Sequence, residues 1–227
     1  MRIYAIIPAR GNSKGVKNKN LYKINNKPLI HYTLNTLVKN KNIDEIFVSS
    51  ESDKILTYAK KFSRVGIIKR PLNLSKDHTH PSKIVHHFIS FLKKNRKLNL
   101  NDLIFYLQPT SPLRNNKDIN VSIELMKNNK IYKILSVRKS PSVIYKSLLI
   151  NNNKIKTIFD KQFLNFRRQD FPETYIINGA IFAFSVKEFL KNNSFPNNGS
   201  LAYIMPDKRS LDIDNIDDIK KLKKIYE

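Results

Sequence analysis

Residues 3–21 read IYAIIPARGNSKGVKNKNL, and this stretch is the strongest indication of the fold. The apolar run at residues 3–7 predicts a buried first strand. The loop that follows contains Gly11 and Gly15, which permit the tight turns that aim backbone N–H groups at a phosphate chain. In a doubly wound sheet, ligands bind at such a loop, outside the carboxyl end of a strand. We therefore predict an α/β protein with an anion-binding loop after its first strand.

The charged side chains of this loop support the same interpretation. Arg10, Lys14 and Lys19 can supply the countercharge for phosphates. The loop is neither a Walker loop, which requires Gly-Lys-Ser/Thr, nor a Gly-x-Gly-x-x-Gly fingerprint. An ordinary basic surface loop is the alternative, but the position directly after the first strand favours a phosphate site.

The rest of the chain alternates short apolar runs with longer stretches of helical spacing. This alternation predicts a mostly parallel, doubly wound sheet with helices on both faces. The predicted strands are residues 3–7, 45–49, 65–68, 103–107, 134–137 and 179–184. The predicted helices are residues 28–39, 53–62, 82–94, 118–127 and 216–226. Because no repeat or linker is visible in the 227 residues, we predict a single domain over residues 1–227.

The alternation breaks after Val137. Residues 139–175 contain Pro141, an Asn-rich turn at 151–153 and several phenylalanines, namely Phe159, Phe163, Phe166 and Phe171. We predict that this segment, called the excursion below, leaves the main sheet as a hairpin followed by a loop. Contiguous apolar surface of this kind generally marks an interface, so these aromatic rings require a partner surface.

Composition narrows the classes of function. Hydrophobic residues make up 41%, as in a globular protein. No apolar run approaches the roughly 20 residues of a membrane span, and the amino terminus does not resemble a signal peptide. Because the chain has no cysteine, it holds no disulfide framework or thiolate metal site. We expect a cytoplasmic protein without a membrane partner.

The charge raises nucleic-acid binding as an alternative function, because 42 Lys+Arg against 18 Asp+Glu give +24. The basic residues are nevertheless scattered among many asparagines, and no nucleic-acid recognition module is present. We therefore predict no nucleic-acid partner. A basic protein does attract anionic ligands such as a nucleoside triphosphate.

A metal site is predicted by Asp212-Ile213-Asp214. If this segment is a strand, residues two apart project to the same face, so both carboxylates converge on one spot. Magnesium is usually held by one or two carboxylates together with substrate phosphates. We predict that Asp212 and Asp214 bind Mg²⁺.

Two further stretches suggest a binding site for a polar ligand. Residues 107–114 read LQPTSPLR, in which two prolines suit a rigid wall, although a simple proline-rich turn is the alternative. Arg168 is a planar partner for a substrate carboxylate. Asn178 can bind sugar hydroxyls, and Gly179 permits close approach of a ligand.

Together these stretches resemble the CMP-sialic acid synthetases, or acylneuraminate cytidylyltransferases. The resemblance covers nearly the whole chain and is carried by the opening loop, by QPTSPLR at 108–114, by Arg-Gln at 168–169 with NGAI at 178–181, and by the Asp-x-Asp at 212–214. It implies a nucleotide-diphospho-sugar transferase type of α/β fold. It also implies that the excursion is a dimerisation segment, which makes the protein a homodimer and places part of each excursion at the other subunit's site.

The resemblance implies a role for particular residues in catalysis and binding. Those implied for CTP are Arg10, Ser13, Lys14, Lys19, Asn20, Arg70, Thr79 and Ser82. Those implied for the acidic nine-carbon sugar are Gln108, Ser111, Lys146, Arg168, Asn178 and Phe182. Those implied for catalysis are Arg10, Lys14, Lys19, Asp212 and Asp214, the last two through Mg²⁺.

The reaction implied is attack of the sugar's anomeric hydroxyl on the α-phosphorus of CTP, with release of pyrophosphate. N-acylneuraminate is the first choice of acceptor, and legionaminate, pseudaminate and 3-deoxy-manno-octulosonate are alternatives. The acceptor stays open because many relatives carry a basic residue near Ile176 and Ile177, and often Tyr at Phe182. The octulosonate enzymes usually have Ser-x-Arg in the opening loop, whereas this chain has Ser13-Lys14. The sequence identifies no general base.

Overall fold

The computed structural model describes residues 1–226, apart from the side chains of Ser142, Val143 and Tyr226. The strands of this part are β1 (Ile3–Pro8), β2 (Lys23–Ile24), β3 (Lys27–Pro28), β4 (Glu45–Ser50), β5 (Val65–Lys69), β6 (Leu103–Tyr106), β7 (Lys133–Ser140), β8 (Leu148–Asn151), β9 (Lys154–Thr157), β10 (Thr174–Ser185) and β11 (Leu201–Ile204). The helices are α1 (Leu29–Val38), α2 (Asp53–Ala59), α3 (Pro81–Asn95), α4 (Asn116–Asn129), α5 (Val186–Asn192) and α6 (Ile216–Tyr226).

Within these residues, a seven-stranded sheet has the order β11-β7-β10-β6-β1-β4-β5. Strand β1 pairs in parallel with β4 and β6, and β4 pairs in parallel with β5. Strand β10 is antiparallel to both of its neighbours, β6 and β7, and β11 is parallel to β7. The predicted α/β fold with a mostly parallel sheet is confirmed.

Strand β1 shows why the sheet is doubly wound. Its side chains alternate between two faces, and each face is buried in a different core. Ala5 and Ile7 pack in a cluster with apolar residues of α1, α2 and α4. Tyr4 and Ile6 pack in a second cluster with residues of α3 and α5. Because both faces are covered, the run at residues 3–7 is apolar throughout, as expected for a buried parallel strand.

A third, smaller cluster positions the functional loops. It joins Val16 of the opening loop to Ile213 and to Ile219 and Leu222 of α6, all of which are buried. The segment around Ile213 was predicted as a strand, and this was wrong. Ile213 donates its backbone N–H to the carbonyl of Thr110 at 2.8 Å, but the segment joins no strand ladder. The alternation of side chains holds all the same, since Ile213 is buried while Asp214 is exposed.

Three elements differ from the sequence-based expectation. Strand β10 was expected at 179–184 but begins at Thr174, because its first residues extend beside the end of β7, with Tyr175 opposite Lys139. Helix α5 and strand β11 were not predicted. The beginning of α5 does carry a recognisable signal, since the Ser185 hydroxyl accepts the N–H of Glu188 at 3.1 Å.

The excursion forms a separate hairpin, as predicted. Strands β8 and β9 are joined by Asn152 and Asn153, both with positive φ, as a two-residue hairpin turn requires. The aromatic rings pack partly against one another, because Phe159, Phe163 and Phe171 all lie around Tyr145. Phe159 is still 38% exposed, and aliphatic side chains add to the exposed apolar surface, including Ile150 at 76% and Ile155 at 63% exposure.

Among the described residues, no helix has both the length and the apolar character needed to cross a membrane.

Candidate functional site

The opening loop and the Asp212–Asp214 segment form one site. Lys19 joins them, since its Nζ donates to the carbonyl of Ile213 at 2.7 Å and to Oδ1 of Asp214 at 3.2 Å. Asn20 is buried and donates from its amide to the carbonyl of Arg10 at 2.9 Å. The loop is therefore held at both ends, which fixes where its cations lie.

These segments enclose a cavity of about 390 Å³, called the loop cavity below, at the carboxyl ends of β1 and β6. Most of the residues predicted for CTP and metal line it, namely Arg10, Ser13, Lys14, Lys19, Asn20, Arg70, Thr79, Asp212 and Asp214. Gln108, which was predicted for the sugar, also lines it. Ligands of open α/β sheets bind at this edge. The volume lies within the range of small-molecule and cofactor sites.

Glu51 supports the opening loop and was missed by the sequence analysis. Its Oε1 accepts the backbone N–H of Gly11 at 2.6 Å, and its Oε2 accepts from Arg70 at 3.2 Å. Burial opposes ionisation of this carboxyl, but the Gly11 N–H and the other donors outweigh it, so the pKa of Glu51 is lowered. The signal for this residue was its place directly after β4, whose carboxyl end shares an edge with that of β1.

Arg70 is only 3% exposed, yet it lines the loop cavity. In addition to Glu51, it donates from Nε to the Ser75 hydroxyl at 3.0 Å. A guanidinium held by two partners in this way is a fixed donor. It is the kind of group that can orient a nucleobase or ribose by hydrogen bonds rather than by charge alone.

Asp77 lies where an anionic ligand of the loop would place negative charge. Its carboxylate contacts Arg10 and forms an ion pair with Lys14 at 3.3 Å. Desolvation opposes the charge, but Lys14 and Arg10 together hold the pKa of Asp77 below its ordinary value. Two of the three predicted phosphate-binding cations thus pair with a carboxylate of the chain itself.

Asp212 and Asp214 differ in environment. Asp214 is largely exposed, whereas Asp212 is partly buried and its Oδ1 has no hydrogen-bond partner among the described residues. Burial raises the pKa of Asp212; a Thr110 hydrogen bond and Lys19 oppose the rise, and Asp214 adds to it. An unpartnered buried carboxylate oxygen is costly unless a cation satisfies it. The residues therefore fit a hard divalent cation, although no group of three or more possible metal ligands occurs in residues 1–226.

Gly179 lies between the metal pair and the rigid wall. Its φ of +72° favours glycine, and a Cβ would come within 3.1 Å of Gln108 Oε1 and 3.3 Å of Asp212 Oδ2. The space beside Gly179 is therefore limited by side chains of the protein, and the predicted approach of a ligand stays a prediction. This glycine coincides with the shift in register of β10 against β7 between residues 177 and 182.

The wall itself is held by Arg114, whose role the sequence analysis did not anticipate. Its guanidinium is buried and donates to the carbonyl of Ala180 at 2.6 Å, the Thr33 hydroxyl at 2.9 Å and the carbonyl of Gln108 at 3.3 Å. Burial lowers the pKa of Arg114 to about 10, so the side chain remains cationic near neutral pH. It ties α1, β10 and residues 108–114 together behind the cavity.

A second cavity of about 470 Å³, called the β7 cavity below, adjoins the first at Asp212. It is lined by Arg138 of β7, by Ile176, Ile177 and Asn178 of β10, and by residues of the 207–212 segment and α6. The predicted sugar ligand Asn178 borders it, but its amide is already engaged. Its Oδ1 accepts from the Ser136 hydroxyl at 2.6 Å, and its Nδ2 donates to the Ser210 hydroxyl at 2.9 Å.

The remaining predicted residues lie outside both cavities. Ser82 is at the start of α3, where its backbone N–H meets the ring of His80. Ser111 is a buried residue of the wall itself, and Phe182 packs against Phe195 on a face of the sheet. Lys146 and Arg168 are on the excursion, with the Nζ of Lys146 5.6 Å from the centre of the Phe171 ring. The structure of one chain does not bring these two cations to Asp212.

Comparisons with known proteins agree with this geometry. Residues 4–227 match the family model described as Cytidylyltransferase. An N-acylneuraminate cytidylyltransferase of Escherichia coli is 31% identical over 217 residues, covering 94% of this chain and 49% of its own length. The chain thus spans about half of that relative. A pseudaminic acid cytidylyltransferase of Campylobacter jejuni is 27% identical over 226 residues, covering 100% of this chain and 97% of its own.

A solved structure shares the fold. It is a CMP:2-keto-3-deoxy-manno-octonic acid synthetase complexed with CTP, which covers 100% of this chain and 98% of its own at a TM-score of 0.68 and 12% identity.

Proposed function

Because this chain belongs to the cytidylyltransferase family, we propose that it transfers CMP from CTP to a nonulosonic acid and releases pyrophosphate. N-acylneuraminate is the acceptor we propose first, since the Escherichia coli relative at 31% identity is an N-acylneuraminate cytidylyltransferase. Pseudaminate, legionaminate and 3-deoxy-manno-octulosonate are the alternatives. The need for CTP favours a cytoplasmic location.

One observation carries the proposal: the loop cavity brings three cations of the opening loop together with two carboxylates. Arg10, Lys14 and Lys19 line the same cavity as Asp212 and Asp214. A nucleoside triphosphate requires cations for its phosphates, and carboxylates that hold a metal ion beside the reacting phosphate. A cavity for an uncharged ligand needs neither.

The arrangement suggests how the chain promotes the reaction. The acceptor oxygen forms a bond to the α-phosphorus while the bond from that phosphorus to the bridging oxygen of pyrophosphate breaks. Lys19 and Arg10 stabilise negative charge that accumulates on the phosphates, which is the main source of rate enhancement in such transfers. Glu51 and Arg70 keep the loop and the nucleotide in place. The proton of the acceptor hydroxyl passes to water or to an oxygen of the substrates themselves, and no described side chain is assigned as the base.

Asp212 and Asp214 would hold magnesium. When bound, the ion would neutralise phosphate charge and help to orient the α-phosphate. The carboxylates would remain ionised in that state, because the cation offsets the effects of burial on Asp212. Lys19, which already contacts Asp214, would add its positive charge to that of the ion.

We also propose that the protein is a homodimer through the excursion. This is supported by the exposed aliphatic side chains of β8 and β9, such as Ile150 and Ile155, and by the position of Lys146 and Arg168 on the same segment. Since these cations lie away from the cavities of their own chain, they would bind the acid at the site of a second copy.

The test is release of pyrophosphate from CTP by the purified protein with Mg²⁺ and a panel of acids. We expect turnover with at least one nonulosonic acid, no comparable turnover with ATP or UTP, and loss of activity on chelation of the metal. Failure of every acid in the panel would refute the proposed activity.

The non-enzyme alternative, a basic nucleic-acid-binding protein, gives the opposite pattern. It predicts no turnover and an affinity for nucleic acid that falls steeply with salt, and it gives no role to Asp212 and Asp214.

A further inference from the structure

The two cavities meet at Asp212, which lines both of them. The loop cavity contains the cations proposed for the triphosphate. In a displacement at phosphorus, the attacking and leaving oxygens lie roughly in line on opposite sides of the phosphorus atom. An acceptor therefore has to approach the α-phosphate from a side that the triphosphate does not occupy. The β7 cavity includes Asp212 but no residue of the opening loop. An acceptor in this cavity can therefore approach from such a side.

Three cations line the β7 cavity. Lys208 is exposed and Lys221 forms an ion pair with Asp218, and the third is Arg138. Its side chain is partly buried on β7, and it forms no hydrogen bond or ion pair with any residue whose side chain the structure describes. The neighbouring Lys139, on the other face of the strand, contacts Glu173 instead. A guanidinium that is partly desolvated and without a partner is suited to a carboxylate ligand, which it can bind through two parallel hydrogen bonds.

Beside Arg138 the lining of the β7 cavity is apolar, whereas the 207–212 segment and α6 contribute mostly polar and charged side chains. Ile176 lies directly across from Arg138 in the ladder of β7 and β10, and Ile176 and Ile177 are 39% and 56% exposed. A ligand that fits both Arg138 and the two isoleucines carries an anionic group together with an apolar substituent. An acidic sugar with an N-acyl group has this composition, whereas free pyrophosphate or a second nucleotide phosphate would leave the isoleucines in water.

We propose that the β7 cavity receives the acidic acceptor and that Arg138 binds its carboxylate from within the same chain. The inference rests on the proposed function and extends it by naming the cavity and a specificity-determining residue. It distinguishes Arg138 from Lys146 and Arg168, which would act from a second copy.

The experiment compares Arg138→Met and Arg138→Lys with Lys139→Met, which removes a lysine charge from the same strand but on its other face. KM is measured for the acid and for CTP by pyrophosphate release, and the Kd of CTP by calorimetry without acid. We expect Arg138→Met to raise the KM for the acid about 10–100-fold, the scale of one charge-assisted contact, with an intermediate rise for Arg138→Lys. The Kd of CTP should change less than about twofold for both.

Three results would overturn the inference. They are an acid KM for Arg138→Met no higher than that for Lys139→Met, an equal weakening of both substrates, or a change in oligomeric mass, which would show that a second copy covers the β7 cavity. The wild-type protein separates this inference from the proposed function, since its turnover tests the activity and the ratio of variant to wild type tests Arg138. Unchanged thermal melting shows that each variant is folded.

Discussion

Gly15 and Asp214 are packed so closely that a Cβ on Gly15 would lie 2.2 Å from the carbonyl oxygen of Asp214. Real Cβ atoms do not approach oxygen to this distance. The backbone of the opening loop therefore packs directly against the backbone of residues 212–214. The relative position of the groups proposed to bind phosphate and metal is thus fixed by main-chain contact as well as by Lys19.

Gly15→Ala should therefore separate the two segments. Overpacking of this kind costs about 1–3 kcal/mol, and a displacement of about 1 Å at a reacting group can cost on the order of 100-fold in rate. We expect a large fall in kcat with a smaller loss of thermal stability. Lys17→Ala, on an exposed residue of the same loop, is the control. Equal activity of the two variants would contradict the contact's importance.

Asp214→Asn should abolish most turnover while leaving the fold intact, because it removes one of the proposed metal ligands from an exposed position. We expect kcat/KM to fall on the order of 100-fold or more and to recover in part at high Mg²⁺. Asp217→Asn is the matched control, since that carboxylate is also exposed and pairs only with Lys220 among the described side chains. Near-normal activity of Asp214→Asn at low magnesium would exclude it as a ligand.

Asp212→Asn should abolish activity without lowering thermal stability. Because the pKa of Asp212 is raised in the folded protein, its protonated form stabilises the fold at low pH, and this contribution is lost as pH rises through the folded pKa. Without metal at neutral pH, the variant should melt no lower than the wild type, while its activity is lost. Mg²⁺ should raise the melting temperature of the wild type alone.

In the wild type at subsaturating Mg²⁺, activity should rise as pH increases through the same transition, because the ionised carboxylate is the proposed metal ligand. A lower melting temperature of Asp212→Asn at neutral pH would contradict the raised pKa of Asp212. The same response of this variant to Mg²⁺ as the wild type would contradict the role of Asp212 as a metal ligand.

The oligomeric state tests the role of the excursion. We expect a stable dimer by light scattering at micromolar concentration. The double variant Ile150→Asp/Ile155→Asp should dissociate it, because these exposed residues lie opposite each other in the β8–β9 hairpin, and burying the charges would cost several kcal/mol. Lys156→Asp, on an exposed residue of the same hairpin, is the control for added negative charge. A monomeric wild type would refute the dimer.

Arg168→Lys should raise the KM for the acid well above any change in that for CTP, since a point charge does not replace the planar fork. If Arg168 acts at the site of a second copy, mixing Arg168→Ala with Asp214→Asn under conditions of subunit exchange should restore activity, because each mixed dimer contains one intact site. Arg138→Met mixed with Asp214→Asn should not recover, because Arg138 is proposed to act in its own chain. The reverse pattern would contradict these assignments.

The parts of the fold that were predicted correctly carry strong local signals. The apolar run of β1, the loop after it and the Asn-rich turn of the excursion each depend on residues adjacent in sequence. Strand β11 was missed because it is short and two of its residues, Ala202 and Ile204, are exposed, so its apolar pattern is weak. The strand predicted at Asp212–Asp214 was wrong because alternation of side chains requires only an extended backbone, not a ladder.

The site residues were predictable where several side chains of one kind occur in the same loop. They were not predictable where single residues come together from distant segments. Arg10, Lys14 and Lys19 form a group within one loop, so their common cavity followed from sequence. Glu51 and Asp77 reach the same place from other segments, and a lone carboxylate in a loop carries no pattern. The sequence analysis also overlooked Tyr145, 14 residues before Phe159, which supplies much of the packing of these aromatic rings.

The hydrogen bonds of Asn178 also bear on the chemical ageing of the protein. Asn-Gly pairs are the sites where an asparagine most readily deamidates, because the following N–H can attack the side-chain carbonyl, and the chain has such pairs at 178–179 and 198–199. The amide of Asn178 is buried and held by Ser136 and Ser210, and its oxygen also accepts the Ala180 N–H at 3.2 Å. Asn198 is exposed. Of these two pairs, stored protein should therefore accumulate aspartate and isoaspartate at 198, away from both cavities, while 178 stays intact.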